Sequence, residues 1–403
     1  MGRGAEIKKY VRGMKLNGKI FQLLLLMLGG VMIAFASCRQ AGHIDYDNRK
    51  DWPYYRADAA MSGYTTLNLP DNPKLLWTYK DGVRTVSSPV VYDGVVYWVN
   101  RRGHLFGVDM TGEKVFDYDM ETTVEATPII QGGILYIGRI DGILAAVDLQ
   151  KADTVWTFET LGQISAAPNL VDFQGDKAVV FGSYDNYMYI VRQQDGKLMN
   201  QFESGYYING AVAVWDNHVI FGGCDAWVRL IDCQTGIQTD SLELQAYVPA
   251  SPAVSGNYAY VGDYSGNIYE LHLQGDKIAT QKKLLEAAAS DGTLTSVPAI
   301  SKEAVYVLPD GRNVMAISRK DGSILWKYML KGDTGDSSPL ICGDKVIICT
   351  RTGIISILDA HDGTLKWEYD TGEQILASPA IIRNHFFILT TRGTLFCFGK
   401  TDK

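Results

Sequence analysis

Between Ser337 and Asp370 the chain reads SSPLICGDKVIICTRTGIISILDAHDGTLKWEYD, short runs of Val, Ile and Leu broken by Gly, Asp and Thr. The pattern predicts strands over Ser338–Cys342, Lys345–Thr350, Ile354–Asp359 and Thr364–Tyr369. Gly343-Asp344, Arg351-Thr352-Gly353 and Asp362-Gly363 turn one into the next. β-branched runs bounded by such residues read as antiparallel strands joined by hairpins. The unit is a four-stranded meander of about 40 residues.

The unit recurs. The Pro of its first strand stands at Pro89, Pro128, Pro168, Pro252, Pro298, Pro339 and Pro379, and Val212 holds the place between Pro168 and Pro252. The resulting steps are 39, 40, 44, 40, 46, 41 and 40 residues. Gly103, Gly142, Gly266, Gly353 and Gly393 each lie 14 residues after their Pro, and Gly311 lies 13 after. Trp156, Trp326 and Trp367 lie 28 after theirs, and Phe116 lies 27 after. Coincident markers at a fixed period indicate stacked repeats, here eight of them. The last unit ends with its third strand, Thr394–Phe398. Lys74–Lys80 (KLLWTYK) carries Trp77 12 residues before Pro89, as Trp156 and Trp367 precede Pro168 and Pro379. It is therefore expected to be the fourth strand of the last unit and to close the ring. The fold expected is all-β, an eight-bladed propeller over 51–403. Trp77, Trp156, Trp326 and Trp367 are expected to pack blade against blade.

The repeat Gly-x-(Leu/Ile)-x-Ala-x-Asp-x-x-x-Gly-x-x-x-Trp, clearest at Gly142…Asp148…Trp156 and Gly353…Asp359…Gly363…Trp367, resembles the tryptophan-docking repeat of pyrroloquinoline-quinone (PQQ)-type propellers. Asp51 to Asp58 and Ser62-Gly63 resemble the lead-in segment of such proteins. The resemblance spans roughly residues 51 to 400. It implies the fold, and either a quinoprotein dehydrogenase or a non-catalytic lipoprotein of the BamB type, which serves outer-membrane barrel assembly.

The start of the chain has a different pattern. Arg3, Lys8, Lys9, Arg12, Lys15 and Lys19 precede an apolar run from Phe21 to Phe35 that is too short to span a bilayer comfortably. Phe35-Ala36-Ser37-Cys38 resembles a lipobox, with Phe35 where Leu is usual. The expectation is a lipoprotein signal peptide over 1–37, lipidation of Cys38 and a polar tether over 38–50. Arg39 resembles the sorting residue of lipoproteins sent to an outer membrane, on its periplasmic or outer surface. Cys224, Cys233, Cys342, Cys349 and Cys397 are expected to be thiols and not a disulfide framework, because the nearest candidates fall at opposite ends of strands.

The formal net charge of −7 and pI near 5.4 give no footprint for nucleic acid. The six His residues (His43, His104, His218, His272, His361 and His385) make no ligand spacing, and no Cys-x-x-Cys or His-x-x-x-His occurs. No metal or cofactor is expected. Quinoprotein dehydrogenases resemble this chain in repeat but typically carry an adjacent Cys pair, which it lacks. A catalytic role is therefore not expected. Asp-Gly pairs such as Asp93-Gly94 and Asp362-Gly363 read as turn chemistry. Asp172–Asp176 is expected to be a lengthened turn, and Leu284–Ser290 a helical turn.

Function is left to the surface. In a meander blade the loop between second and third strands shares a face with the incoming loops. Arg101, Arg102, Arg139, Arg351 and Arg392 fall on blades 7, 8, 1 and 2, whereas Asp185, Asp225, Asp263 and Asp310 fall on blades 3 to 6, with Tyr184, Trp227 and Tyr264 among them. A loop face split in charge and carrying aromatics suits docking of an envelope protein. The BamB resemblance implies partner contacts from incoming loops with an Arg-Gly-Glu-Ser run and an Asp-x-Asp. The corresponding loops here read Gln245-Ala246-Tyr247-Val248-Pro249 and Asp291-Gly292-Thr293-Leu294-Thr295. The reading is a monomeric, lipid-anchored scaffold. The alternative is a reader of small molecules or glycans, or a PQQ-dependent dehydrogenase, acting at the propeller mouth.

Overall fold

The computed structural model describes residues 50–286, 295–309 and 311–400, all of them in the unit that follows residue 45. The segments expected to be leader and tether, up to residue 49, lie outside the described residues, as does Asp310.

The repeats fold as eight four-stranded antiparallel blades. Blade 1 is Val90–Tyr92, Val95–Val99, His104–Asp109 and Lys114–Asp119. Blades 2 to 7 repeat it over 129–159, 169–203, 213–243, 253–285, 299–329 and 340–370. Blade 8 is Ala380–Ile382, His385–Leu389 and Thr394–Gly399 with Lys74–Lys80 as its fourth strand. The closing pair is antiparallel, with Lys74 opposite Gly399, Trp77 opposite Cys397 and Lys80 opposite Thr394. Ring closure is as the spacing of Trp77 predicts.

Two local expectations are corrected. Asp172–Asp176 is not a lengthened turn. Strands Asn169–Phe173 and Asp176–Gly182 meet at a two-residue hairpin, Gln174-Gly175, both at positive φ, so the extra residues lengthen the strands. Leu284 and Leu285 are not helical but end the long strand Lys277–Leu285, where cross-strand pairing with Ile268 overrides local helix propensity. The remainder of that expectation, 287–290, lies outside the described residues.

Burial follows strand position. Second and third strands are nearly all buried, whereas fourth strands are largely exposed or half-buried because they meet solvent at the circumference. The apolar clusters each draw on neighbouring blades, so the core is a series of blade-to-blade interfaces.

The recurring Trp residues fasten those interfaces. Trp77 Nε1–H donates to the Met110 carbonyl (2.9 Å), Trp156 to Gln193 (3.0 Å) and Trp326 to Ala360 (2.9 Å), each in the next blade's hairpin between third and fourth strands. The rings lie flat on the glycine of that hairpin. A Cβ at Gly196 or Gly363 would come 2.5 or 2.6 Å from the Trp156 or Trp326 ring, and both glycines have positive φ. Trp367 faces blade 8, whose third and fourth strands are not joined by such a hairpin, and packs edge-on against Phe386 and Phe398 instead. Asn200 occupies the dock of blade 3 and donates to the Gly236 carbonyl at 2.7 Å.

The lead-in segment lies inside the ring. Carbonyls of Trp52, Pro53, Ala59, Ala60, Ser62 and Gly63 accept N–H groups of Val91, Ile130, Val214, Val254, Ile300 and Ile341, on the innermost strands of blades 1, 2, 4, 5, 6 and 7. Asn169 Nδ2 reaches the Ala59 carbonyl from blade 3. Tyr64–Thr65 adds a short parallel strand to blade 7. Arg56 is 1% exposed and spends its guanidinium on the carbonyls of Pro298 (2.8 Å) and Pro339 (3.0 Å). Burial depresses its pKa to about 10, against the smaller opposing pull of Tyr55 and Asp58.

Candidate interaction face

Each loop between second and third strands is tied to the loop that enters its own blade. N–H groups of Arg101, Ile140, Tyr184, Cys224, Tyr264, Arg351 and Thr391 donate to carbonyls of Arg84, Thr123, Gln163, Tyr207, Tyr247, Asp333 and Gln374. In blade 6 the matching residue is Pro309, which has no N–H. The two loop sets thus form one face, as expected from the meander.

The candidate residues divide on that face. Arg102 and Arg392 are exposed, and Arg84, which the sequence reading missed, joins them beside the seam of blades 8 and 1. Arg101 pairs with Glu125, Arg139 with Asp141 and Arg351 with Asp333, so these three are already matched by acids. The acids of the other arc are engaged within the fold. Asp263 is fully buried and accepts from Asn267 and the Tyr269 hydroxyl (3.0 Å), so it presents no charge to a partner. Asp185 accepts the Leu161 N–H (2.9 Å), the Tyr187 N–H and the Tyr189 hydroxyl. Asp225 accepts the Gly205 N–H (2.8 Å) and a two-pronged contact from Arg229. Burial pushes Asp225 up, but Arg229 and the N–H groups of Trp227 and Gly205 outweigh it and hold the carboxyl below its ordinary range. These carboxylates are folded back to staple loops, because a short Asp at a hairpin tip finds backbone N–H groups within reach.

What the acids leave exposed is aromatic. Tyr184 stacks on Tyr207 (5.1 Å), Tyr207 contacts Tyr206 (4.4 Å), and Tyr247 stacks on Tyr264 (4.3 Å). Tyr206 is 49% exposed, and Leu161 beside them is 98% exposed. Burial, followed by the contact with Tyr264, raises the Tyr247 pKa to about 12. Trp227 is half-buried at the start of its strand, opposite Glu243. Tyr206, Tyr207 and Tyr247 escaped the sequence reading because incoming loops carry no periodic marker. The one legible signal was the Tyr206-Tyr207 pair in an otherwise polar loop.

At the centre of the face is a funnel of ≈ 380 Å³, lined by Tyr55 of the lead-in segment together with Tyr184, Glu125 and Asp336. The described residues hold no cluster of three or more His, Cys, Asp or Glu placed for a metal. Cys233, Cys342, Cys349 and Cys397 are buried thiols, and Cys224 is half-buried.

Eight meander blades, a strand-swapped seam and Trp-on-Gly docking define a closed propeller of the PQQ-like class. The family described as "Outer membrane protein assembly factor BamB" matches residues 67–282 and 224–402, and the chain belongs to that family. It is 22% identical over 141 residues to the outer membrane protein assembly factor BamB of Legionella pneumophila, covering 35% of each protein. It is 28% identical over 130 residues to a 1-butanol dehydrogenase (cytochrome c) of Thauera butanivorans, covering 28% of this chain and 19% of that one. The aligned regions thus span about a fifth to a third of these relatives. The crystal structure of BamB from Moraxella catarrhalis superposes with a TM-score of 0.68 at 18% identity, covering 82% of this chain and 98% of the other. That likeness is one of fold.

Proposed function

We propose that this chain is a non-catalytic propeller scaffold of the cell envelope, held to an outer membrane by lipid on Cys38, whose loop face docks a protein partner. The observation that carries the proposal is the exposed arc of Leu161, Tyr206, Tyr207 and Tyr247 on the face where the loops converge. Contiguous exposed aromatics rimmed by charge favour protein contact, since Tyr contributes large, rigid area at low entropy cost. Arg84, Arg102 and Arg392 on the opposite side of the ring add steering and register. The family match supports an envelope-assembly setting, and the lack of an adjacent Cys pair supports a role other than quinone chemistry.

The test is a pull-down from one membrane extract with wild type, Arg101→Glu/Arg102→Glu, Trp227→Ala and Tyr206→Ala/Tyr207→Ala. The tyrosine variant is expected to lose the partner at all salt concentrations, and the arginine variant chiefly at low salt, where charge is least screened. Equal recovery of the same partner by all four refutes docking on this face.

A further inference from the structure

The funnel wall carries a pattern that partner docking does not use. The residue before the Pro (or Val212) of each first strand faces its counterpart in the next blade. Where that counterpart has a hydroxyl, a backbone N–H donates to it: Ser88 to Thr127 (2.9 Å), Ala211 to Ser251 (2.8 Å), Val297 to Ser338 (3.0 Å), Ser338 to Ser378 (3.1 Å) and Ser378 to Ser88 (2.9 Å). The belt breaks where the counterpart is Ala167, Ala211 or Val297. The N–H groups of Thr127, Ala167 and Ser251 then have no acceptor among the described residues, although all three residues are buried. An N–H with no protein acceptor in a funnel wall is left to water or to a ligand.

All three breaks lie in the wall of the one funnel. Ser88, Thr127 and Ser251 line it too. Each of their hydroxyls accepts a backbone N–H, and none has an acceptor for its own proton among the described residues. Asn209 supplies the converse, a buried Oδ1 with no donor, while its Nδ2 is held by Cys224 Sγ (3.4 Å). The charged side chains of the lining are Glu125, which Arg101 pairs from outside it, and Asp336, and the lining itself includes no Lys or Arg.

This inventory selects a ligand class. An anion would sit against the Asp336 carboxylate and an already paired Glu125, with no cation in the lining to meet it, and an apolar molecule would leave the N–H groups unpaired. A neutral polyol both accepts from N–H and O–H groups and donates to Asn209 and the carboxylates, and its C–H faces pack on Tyr55 and Tyr184. The volume is at the low end for ligand pockets. We infer that the axial funnel binds a neutral sugar of one or two rings, held on the broken arc of the belt.

The experiment uses the full-length protein, with saturation-transfer NMR and thermal melts against glucose, N-acetylglucosamine and maltose, and citrate as the anionic control. At least one sugar is expected to receive saturation and to raise the melting temperature with concentration, while citrate does neither. Ala167→Ser with Ala211→Ser supplies the missing acceptors in the way Thr127 and Ser251 do. That variant is expected to melt no lower than wild type without sugar and to bind sugar at least ~tenfold more weakly, a step of roughly 1.4 kcal/mol. Sugars that leave the wild type unaffected overturn the proposal and assign the gaps to water. Citrate binding in their place, or sugar affinity unchanged in the double variant, also overturns it.

Discussion

Trp77→Ala probes the one blade whose fourth strand is not joined to its third by a hairpin. Trp77 is half-buried, packs near Phe387 (6.1 Å between ring centres), covers Gly112 and donates to Met110. Truncating a fully buried Trp costs about 3–5 kcal/mol. Half of that, with about 1 kcal/mol for the hydrogen bond, gives roughly 3 kcal/mol. At ~2.1 cal/mol/K per residue, about 350 folded residues unfold with ~0.7 kcal/mol/K, so the melting temperature should fall by about 4 °C. Trp156→Ala removes the same kind of dock in blade 2 and should cost a similar amount. The two differ in where the structure loosens. The strand Asp153–Glu159 stays tethered to its neighbour by a hairpin, whereas Lys74–Lys80 is separated from Thr394–Gly399 by nearly the whole chain. Hydrogen exchange should therefore accelerate in both seam strands of Trp77→Ala, and in neither for Trp156→Ala, because local opening follows the least-tethered contacts. Equal seam protection in the two variants would refute the argument that this pair latches the ring.

Three further outcomes are expected. Asp225→Asn should lower stability at neutral pH by roughly 1.5–3 kcal/mol, since it removes charged hydrogen bonds to Arg229 and the loop. The folded carboxyl lies below its unfolded pKa of about 3.9, so its contribution is present above that value and lost as pH falls through the folded one. Acid melts should show the wild type losing more stability than Asp225→Asn below about pH 4. In thiol titration of the native protein Cys224 should react first and Cys342 and Cys349 only on unfolding, because burial pushes both buried thiols up, Cys349 to about 12. Cys38→Ala should abolish incorporation of labelled fatty acid, and absence of label in wild type would remove the anchor from the proposed function.

The repeat was legible in the sequence because a propeller blade is a local object. Its strands are consecutive, its hairpins demand Gly and Asp at fixed offsets, and its Trp recurs at several of the positions that face the next blade's glycine hairpin. Closure was legible for the same reason: Trp77 kept its distance from Pro89 although its strand partners lie at the other end of the chain. The fate of the loop acids was not. Asp263 and Arg392 occupy comparable loops, yet one is sealed beneath Asn267 and Tyr269 and the other is exposed, a difference set by which N–H groups the folded loops bring within reach. The broken hydroxyl belt lies further still from anything a linear reading could find. Thr127, Ala167 and Ala211 are about 40 residues apart, and only the ring sets each against the next, so that an alanine in one blade leaves an amide in another without a partner.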